Sequence, residues 1–269
     1  MKPNKLLQLL RDNAANGAAA RTLRAEAGDD ASVNIYIYEV IDPYWGASAA
    51  GLIAALATAA GQPVCLHINS PGGDVFEARA MAAAVADYAG PVEACIDGLC
   101  ASAATYLALA AGSVSMVQGA LLMVHNSWTL AYGDKTDLRS TADLLDKIDG
   151  TIVADYVRKT GATPAQVQAW MAAETWFTAE EALAAKFIDE IEPNTQAADA
   201  QEDAQEGEGE TGQPPDPLMA RWNLSAYAKA PVKRSPRPAA GRQTPAQITA
   251  QAAAQAQANR NRLALLNHI

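Results

Sequence analysis

Strand-like and helix-like runs follow one another between residue 33 and about residue 127. The runs "SVNIYIYEVI", "PVCLHINS", "PVEACIDG", "SVSMV" and "ALLMVHN" have the length and pattern of strands. Alanine-rich runs with a helical pattern lie between them, in "ASAAGLIAALATAAG", "DVFEARAMAAAVADYAG" and "DGLCASAATYLALAAG". Regular alternation of strands and helices predicts an α/β domain with a mainly parallel sheet.

The segment "DKTDLRSTADLLDKIDGTIVADYVRKTG" predicts one long helix. Its apolar stripe consists of Leu138, Ala142, Leu145, Ile148, Ile152 and Tyr156. One small sheet cannot bury such a helix, so we expect it to project and to pack against a neighbouring subunit. A further helix is expected after Thr163 as its cap, with Pro164 in its first turn. Thr178 and Glu181 form a capping box that predicts another helix, and "IDEI" predicts a short closing strand.

Charge divides the chain, whose net charge is -10. Residues 194–217 contain seven acidic residues and no Lys or Arg, whereas residues 218–269 contain eight Lys or Arg and no acidic residue. The charge split and the periodicity of apolar residues together predict four segments. They are an N-terminal arm or leader over 1–30, a folded domain over 31–193, a disordered acidic linker over 194–217 and a basic Ala/Gln-rich tail over 218–269. We expect the tail to serve in scaffolding or targeting; the alternative is a solubilising extension.

Composition narrows the class of protein. Hydrophobic residues make up 50% of the chain, which is enough for a sizeable core. The three cysteines, Cys65, Cys95 and Cys100, form no C-x-x-C pair, and their odd number argues against a disulfide framework and for a reducing cytosol. We expect neither a secretory signal nor a membrane span, because no basic start leads into an apolar run and no long apolar run is uninterrupted.

Serine chemistry is the reaction class that the motifs favour. It needs a hydroxyl, a base, an orienting acid and hydrogen-bond donors for the oxyanion. Ser102 follows a predicted strand and begins a predicted helix, although a serine in "CASAA" is more often packing material. Of the three histidines, His268 lies in the tail and His67 lies inside a strand, whereas His125 ends a strand and could open onto a site. A partly buried strand-end histidine is the alternative for His125.

The turn "NSPGGD" places Gly72 and Gly73 at the carboxyl end of a predicted parallel strand, where ligands bind in open α/β sheets. Glycines there let a substrate backbone approach and can present N–H groups to an oxyanion. A plain strand-to-helix turn is the alternative, and the glycine spacing does not fit a phosphate loop. The order of three features along the chain favours catalysis. A glycine turn comes first, Ser102 follows, and His125 lies 23 residues after Ser102, each at the end of a predicted strand.

Four motifs in this order resemble those of the Clp protease proteolytic subunit (ClpP) family: "INSPGGDVFEA", "DGLCASAA", "MVHNSW" and "ETWFTAEEALAAKFIDEI". They are most similar to its phage branch, the ClpP-related head maturation (prohead) proteases. The resemblance covers residues 33–192, about 160 of the 269 residues. It implies a ClpP/crotonase-like spiral of β-β-α units with a projecting handle helix, for which residues 134–160 are suited, and a ClpP-like serine protease domain over 31–193.

The resemblance also implies roles for particular residues. Ser102 matches the nucleophile and His125 the general base, while the Gly73 and Ala103 N–H groups match the oxyanion hole. Glu174 stands where the housekeeping branch has the aspartate of its triad; a glutamate can also orient a histidine, and a mere helix-end carboxylate is the alternative. We expect the substrate to add as a strand beside the glycine turn. The residues expected to bind that strand are Asn69, Ser70, Pro71, Gly72 and Asp74.

Two departures from the housekeeping branch limit what the resemblance implies. Ala172 and Ala173 replace an acid–arginine pair that couples the docking of two rings to activity, and "HNSW" replaces the typical "HQP". A double ring is therefore not implied, and no surface for an ATPase partner is identified. We expect a ring-like homo-oligomer.

These observations predict an ATP-independent serine endopeptidase that cleaves capsid and scaffold proteins during phage head maturation, in the host cytoplasm and inside the assembling head. We expect no metal, no cofactor and no membrane partner. We also expect no nucleic-acid partner, because no aromatic residues lie between the basic residues of the tail from Lys229 onward. One alternative is a general ClpP-like peptidase that works with an ATPase unfoldase; a scaffold or assembly protein with a vestigial protease domain is the non-enzyme alternative. A crotonase-like acyl-CoA enzyme would not need the Ser–His pair, and a Ser–Lys peptidase would not need His125.

Overall fold

The computed structural model describes residues 13, 23–28, 32–193, 222–224 and 226–231. All of them belong to the compact unit Met1–Val232. Most of the predicted arm, the predicted acidic linker and most of the predicted tail lie outside the described residues. The domain boundaries drawn from composition therefore stay predictions.

A mixed sheet of eight strands forms the centre of the described domain. The strands are β1 (Arg24–Ala27), β2 (Val33–Ile37), β3 (Val64–Ser70), β4 (Val92–Ala101), β5 (Ser113–Val117), β6 (Leu121–Val124), β7 (Thr175–Phe177) and β8 (Glu190–Glu192). Strands β2, β3, β4, β5 and β8 run parallel, and β1 adds an antiparallel edge. The end of β4 leaves β5 and pairs with β6, to which β7 adds antiparallel. The predicted mainly parallel sheet is confirmed.

Five of the six described helices begin with a capping side chain, and the helix that follows Ser102 does not. They are α1 (Ala49–Ala59), α2 (Val75–Ala86), α3 (Thr105–Ala110), α4 (Lys135–Thr160), α5 (Pro164–Ala172) and α6 (Ala179–Ala184), with a 3-10 turn at Ser102–Ala104. Thr163 caps α5 by accepting the Gln166 N–H, and Thr178 and Glu181 form a capping box at α6, as the sequence predicts. Side-chain oxygens at these ends satisfy N–H groups that the helix cannot pair.

The core lies between the parallel strands and the helices that connect them. Ile35, Leu66, Ile68 and Ile96 are fully buried in it, together with Leu107 of α3. One face of the central strands packs against the helices, whereas on the other face Cys65 and His67 are half-buried and Glu93 is exposed. No helix in the described part of the chain is long and apolar enough to cross a membrane.

Helix α4 projects from this core, as the sequence predicts. Its 26 residues span about 39 Å at the usual rise per residue. Leu138 and Leu144 in its first half are 46% and 53% exposed, whereas Ile152 and Tyr156 in its second half are buried. Its packing against a neighbouring subunit stays a prediction.

The region of residues 97–112 differs from the predicted helix. Strand β4 continues to Ala101, and helical structure begins only at Ser102. The extension has a tertiary cause, since Cys100 pairs with Ser70 of β3 and Ala101 pairs with Met123 of β6. Strand pairing overrides the helical preference of a small-residue run. The sequence reasoning also missed the short strands β1 and β7.

The cysteines differ from the expectation as well. Cys65 and Cys95 form a disulfide between β3 and β4, with their Cα atoms 6.5 Å apart, and Cys100 is a buried free thiol. The expectation of no disulfide was wrong because it rested on number and spacing along the chain. The parallel register of β3 and β4 brings residues 30 positions apart to adjacent strands, which spacing alone does not indicate.

Candidate active site

The carboxyl ends of three strands converge at one place. Strand β3 ends at Ser70 and leads into the glycine turn, β4 ends at Ala101 next to Ser102, and β6 ends at Val124 next to His125. Strands β3 and β6 pair with β4 from opposite sides, so their ends are brought together by the sheet. This is the edge at which open α/β sheets bind their ligands.

Ser102 and His125 are in direct contact at this edge. The Ser102 Oγ lies 2.6 Å from the His125 Nε2, a hydrogen-bond distance that suits proton transfer from the hydroxyl to the ring. Ser102 has φ 55°, in the left-handed region that a residue with a side chain rarely adopts. The Thr105 hydroxyl donates to the Ser102 carbonyl at 2.7 Å and helps to hold this turn. A strained strand-to-helix turn is how serine hydrolases expose a nucleophile.

His125 is held in its neutral form. Burial lowers its pKa from 6.5 to about 4, and the Glu174 and Asp149 carboxylates nearby oppose this shift. The ring is therefore uncharged near pH 7 and can accept the Ser102 proton. As the charge of the imidazolium develops, the same two carboxylates stabilise it.

The glycine turn fits tightly between Ser102 and the chain near Ile41. Gly72 has φ 83°, and a Cβ built on it would lie 2.5 Å from the Ala101 carbonyl oxygen and 2.9 Å from the Ala103 nitrogen. A Cβ on Gly73 would lie 2.1 Å from the Ile41 carbonyl oxygen. Only glycines fit this approach. Gly73 and Ala103 line one cleft with Ser102, which places both oxyanion-hole candidates beside the nucleophile.

The five residues expected to bind a substrate strand have other contacts in this structure. Asn69 is fully buried, the Ser70 hydroxyl donates to the Glu39 carbonyl at 2.6 Å, and Asp74 caps α2. The Gly72 carbonyl accepts the Ile41 N–H at 3.0 Å, and the Pro71 carbonyl accepts the Tyr227 hydroxyl. Strand addition at this turn stays a prediction.

Glu174 lies near His125 but faces a different group of donors. Its carboxylate accepts the backbone N–H of Ala228 at 2.8 Å and of Lys229 at 2.6 Å, and the Trp176 indole N–H at 3.3 Å. Within the described residues no hydrogen bond joins Glu174 to His125. The structure thus brings Ser102 and His125 into contact and places Glu174 close enough to affect the charge of His125.

An apolar cleft of about 240 Å³ opens beside the Ser–His pair. Helix α4 forms one wall with Leu144, Leu145, Ile148, Ile152 and Tyr156. This wall can accept an apolar side chain of a bound peptide.

Tyr227 also lines the cleft, and sequence reasoning missed it by assigning it to the tail. Trp222, Leu224 and Tyr227 are large apolar residues in an otherwise Ala/Gln-rich and basic region, which is the signal that could have identified them. We call the described residues 222–224 and 226–231 the strap.

Comparison with known proteins agrees with this geometry. The Clp protease family profile matches residues 30–195. The ATP-dependent Clp protease proteolytic subunit 1 of Protochlamydia amoebophila is 30% identical over 168 residues, which cover 60% of this chain and 80% of that protein. The corresponding subunit of Streptococcus gordonii is 31% identical over 135 residues, or 49% of this chain and 69% of that protein. The subunit 1 of Chlamydia muridarum is 31% identical over 139 residues, or 50% and 72%.

The matched residues include the glycine turn, Ser102, His125 and Glu174, together with strands β2 to β8. This confirms the ClpP-like α/β fold that the motifs predicted. A crotonase-like acyl-CoA enzyme is not supported, since the match is to the protease family and the Ser–His pair is in contact. The chain belongs to the Clp protease family and is a ClpP-like serine peptidase.

Proposed function

We propose that this peptidase is an ATP-independent endopeptidase that cleaves capsid and scaffold proteins during the maturation of a phage head. The contact of 2.6 Å between Ser102 Oγ and His125 Nε2, beside Gly73 and Ala103, is the observation that carries the endopeptidase part. The motif resemblance to prohead proteases supports the choice of substrates.

The reaction follows acyl-enzyme chemistry. His125 takes the Ser102 proton while Ser102 Oγ bonds to the scissile carbonyl carbon, and the N–H groups of Gly73 and Ala103 hold the oxyanion. The tetrahedral intermediate then expels the amine, to which His125 gives the proton. Water hydrolyses the acyl-enzyme by the same route and restores Ser102. Glu174 orients His125 and stabilises its imidazolium form during these steps.

The apolar cleft sets a preference for the substrate. A side chain next to the scissile bond enters the space bounded by Leu144, Leu145 and Ile148, and no charged side chain lines this wall of α4. We therefore expect cleavage after apolar residues. A charged side chain against this wall would lose hydration without a partner there, since the charged lining residues Asp42 and Asp74 lie outside α4.

The departure from the housekeeping branch leaves a double ring without support. Ala172 ends α5 and Ala173 follows it directly before Glu174, so this place lacks the charged pair that couples ring docking to activity in that branch. A ring-like homo-oligomer is proposed because the first half of α4 leaves Leu138 and Leu144 exposed, as a handle that packs on a neighbouring subunit would. The protein would then act in the host cytoplasm and inside the assembling head.

Ser102→Ala tests this function in cells that produce the peptidase with the capsid and scaffold proteins. We expect Ser102→Ala to abolish cleavage of both proteins, and Ser113→Ala, an exposed serine outside the site, to leave it unchanged. Cleavage at the normal rate by Ser102→Ala would remove the endopeptidase proposal. Cleavage of only unrelated unfolded proteins would remove the head-maturation part.

A general ClpP-like peptidase that works with an ATPase unfoldase is the second candidate. The names of the similar proteins favour it, since each is called the proteolytic subunit of an ATP-dependent protease. Purified protein with and without ATP and a Clp-type unfoldase separates the two. Protein cleavage that requires both additions supports the second candidate, and cleavage without them supports the first.

A further inference from the structure

The strap covers one side of the catalytic pair. Tyr227 is only 6% exposed, and its ring meets the His125 ring edge-to-face at 5.3 Å between centroids. The same ring lies 5.9 Å from Trp176, and the Tyr227 hydroxyl donates to the Pro71 carbonyl. Burial raises the pKa of Tyr227, and the nearby Ser102 side chain opposes this rise. The Tyr227 side chain therefore occupies space directly beside the nucleophile and the base.

An apolar groove on the sheet receives the other large side chains of the strap. Trp222 and Leu224 are 6% and 4% exposed, and together with Tyr227 they form a cluster separate from the main core. The floor of the groove is formed by the outward side chains of β4 and β6, which are Leu99, Ala101 and Met123, each with no exposed surface. Burial of apolar surface is the main favourable term in such docking.

Polar groups at the start of the strap are paired with specific partners. The Trp222 indole N–H donates to the Asn69 side-chain oxygen at 3.0 Å. Asn223 and Asn13 form two hydrogen bonds, from the Asn223 backbone N–H to Asn13 Oδ1 at 2.7 Å and from Asn13 Nδ2 to the Asn223 carbonyl at 3.2 Å. Buried polar groups need such partners, so these bonds fix the position of the strap along the groove.

Glu174 anchors the other end. Each of its carboxylate oxygens accepts one backbone N–H of the strap, from Ala228 and from Lys229. The Lys229 ammonium group donates to the Ala173 carbonyl. Hydrogen bonds to an ionised carboxylate are roughly twice as strong as neutral ones. While the strap is docked, the carboxylate proposed to orient His125 is thus engaged elsewhere.

The docked strap does not have the shape of a substrate. The Tyr227 N–H donates to the Leu224 carbonyl at 3.0 Å, so the chain curls into a turn here. A substrate added as a strand would be extended and would pair its backbone with the edge of the site. It is a side chain, Tyr227, that reaches the Ser–His pair.

We propose that the strap is a latch, a binding groove filled by the chain's own W-x-L-x-x-Y peptide that keeps the peptidase in a resting state. Release of the strap opens the side of the catalytic pair that faces Tyr227 and frees Glu174 for His125. The latch rests on the proposed serine-peptidase function, since it regulates that site.

The test uses the full chain and variants of single residues. Tyr227→Ala removes the ring at the site, Tyr227→Phe removes only the hydroxyl, and Tyr132→Ala at a 91% exposed tyrosine is the matched control. The readouts are the rate of Ser102 labelling by a fluorophosphonate and the hydrolysis of a short fluorogenic peptide with an apolar residue before the scissile bond. Thermal unfolding of each variant verifies that it is folded.

Tyr227→Ala is expected to label at least about tenfold faster than the parent chain, the change that corresponds to a loss of about 1.4 kcal/mol of docking free energy. Tyr227→Phe, which is expected to fold without difficulty, should label about twofold to tenfold faster, and Tyr132→Ala at the parent rate. Adding the peptide WNLSAYAKAP to the Tyr227→Ala protein should slow the labelling of Ser102 again. The same peptide with alanine in place of tyrosine should slow labelling less.

Two results would overturn the latch. Equal labelling of the parent chain and both folded Tyr227 variants shows that the strap does not restrain the site, although the peptidase proposal then stands. Slower labelling of the folded Tyr227 variants shows that the strap completes the site. No labelling and no peptide hydrolysis in any variant, the parent included, would instead refute the serine-peptidase function itself.

Discussion

Gly72→Ala should inactivate the enzyme through a clash between backbone and side chain at the nucleophile. Gly72 has φ 83°, and the added Cβ would lie 2.5 Å from the Ala101 carbonyl oxygen and 2.9 Å from the Ser102 Cβ. The first of these atoms is backbone within β4, so it cannot rotate away. The turn or the end of β4 must move, and Ser102 moves with it.

The expected loss of unfolding free energy in Gly72→Ala has two parts. The left-handed conformation costs an alanine about 1–2 kcal/mol, and overlap in a packed region adds about 1–3 kcal/mol. We expect the unfolding free energy to fall by about 2–5 kcal/mol in total. A displacement of Ser102 by about 1 Å lowers the rate of the chemical step by about 100-fold.

Gly61→Ala is the matched control for the strain. Gly61 has φ 86°, nearly the same as Gly72, but no atom lies within 4 Å of its added Cβ. This variant should lose only about 1–2 kcal/mol of stability and keep the parent kcat. Urea unfolding and hydrolysis of a fluorogenic peptide measure both quantities in the two variants. A Gly72→Ala protein with the stability of Gly61→Ala and the parent kcat would refute the clash.

Four further predictions concern His125, Tyr156 and the disulfide. Because burial lowers the pKa of His125 to about 4, the acid limb of kcat/KM should fall near pH 4; a limb near pH 6.5 would contradict this. Between pH 6.5 and 4 the unfolded chain binds a proton at His125 that the folded chain does not, so stability should decline as pH falls through this range. Tyr156→Phe removes the 2.7 Å bond to the buried Thr105 hydroxyl and should lower the unfolding free energy by about 1 kcal/mol in urea titrations; no change would contradict this. The Cys65–Cys95 disulfide closes a loop across 30 positions, so its reduction should lower the unfolding free energy by about 3–4 kcal/mol. The loss is measured as a shift of the urea midpoint when reductant is added. A protein with both Cys65→Ser and Cys95→Ser is the control and should show no such shift.

Local patterns predicted the order of most strands and helices because each pattern lies within one element. The ends of β3 and β6 could be placed in sequence, and the order of the glycine turn, Ser102 and His125 indicated that they belong to one site. The extension of β4 to Ala101 could not be predicted in this way, since it depends on pairing with β6. The Cys65–Cys95 disulfide depends in the same way on the register of two strands.

The contacts of Glu174 were the most difficult to predict. Its strap partners Ala228 and Lys229 lie 54 and 55 positions away along the chain, and they bind through backbone N–H groups that carry no side-chain signal. A carboxylate that the motif series assigns to His125 can therefore have other partners in the fold. Only the three-dimensional contact reveals which donors compete for it.

The small residues at the end of β4 connect the chemistry to the strap. Alternation along this strand sends Cys100 into the main core and Leu99 and Ala101 to the opposite face, where the strap covers them. A larger residue at position 101 would displace the strap, while the carbonyl of Ala101 already limits the glycine turn. The same short strand end therefore fixes Ser102, holds the turn proposed for the oxyanion hole and forms the floor of the groove for the strap. The strap docks on one face of β4, and the end of β4 carries the nucleophile. This shared strand connects the strap physically to the Ser–His pair.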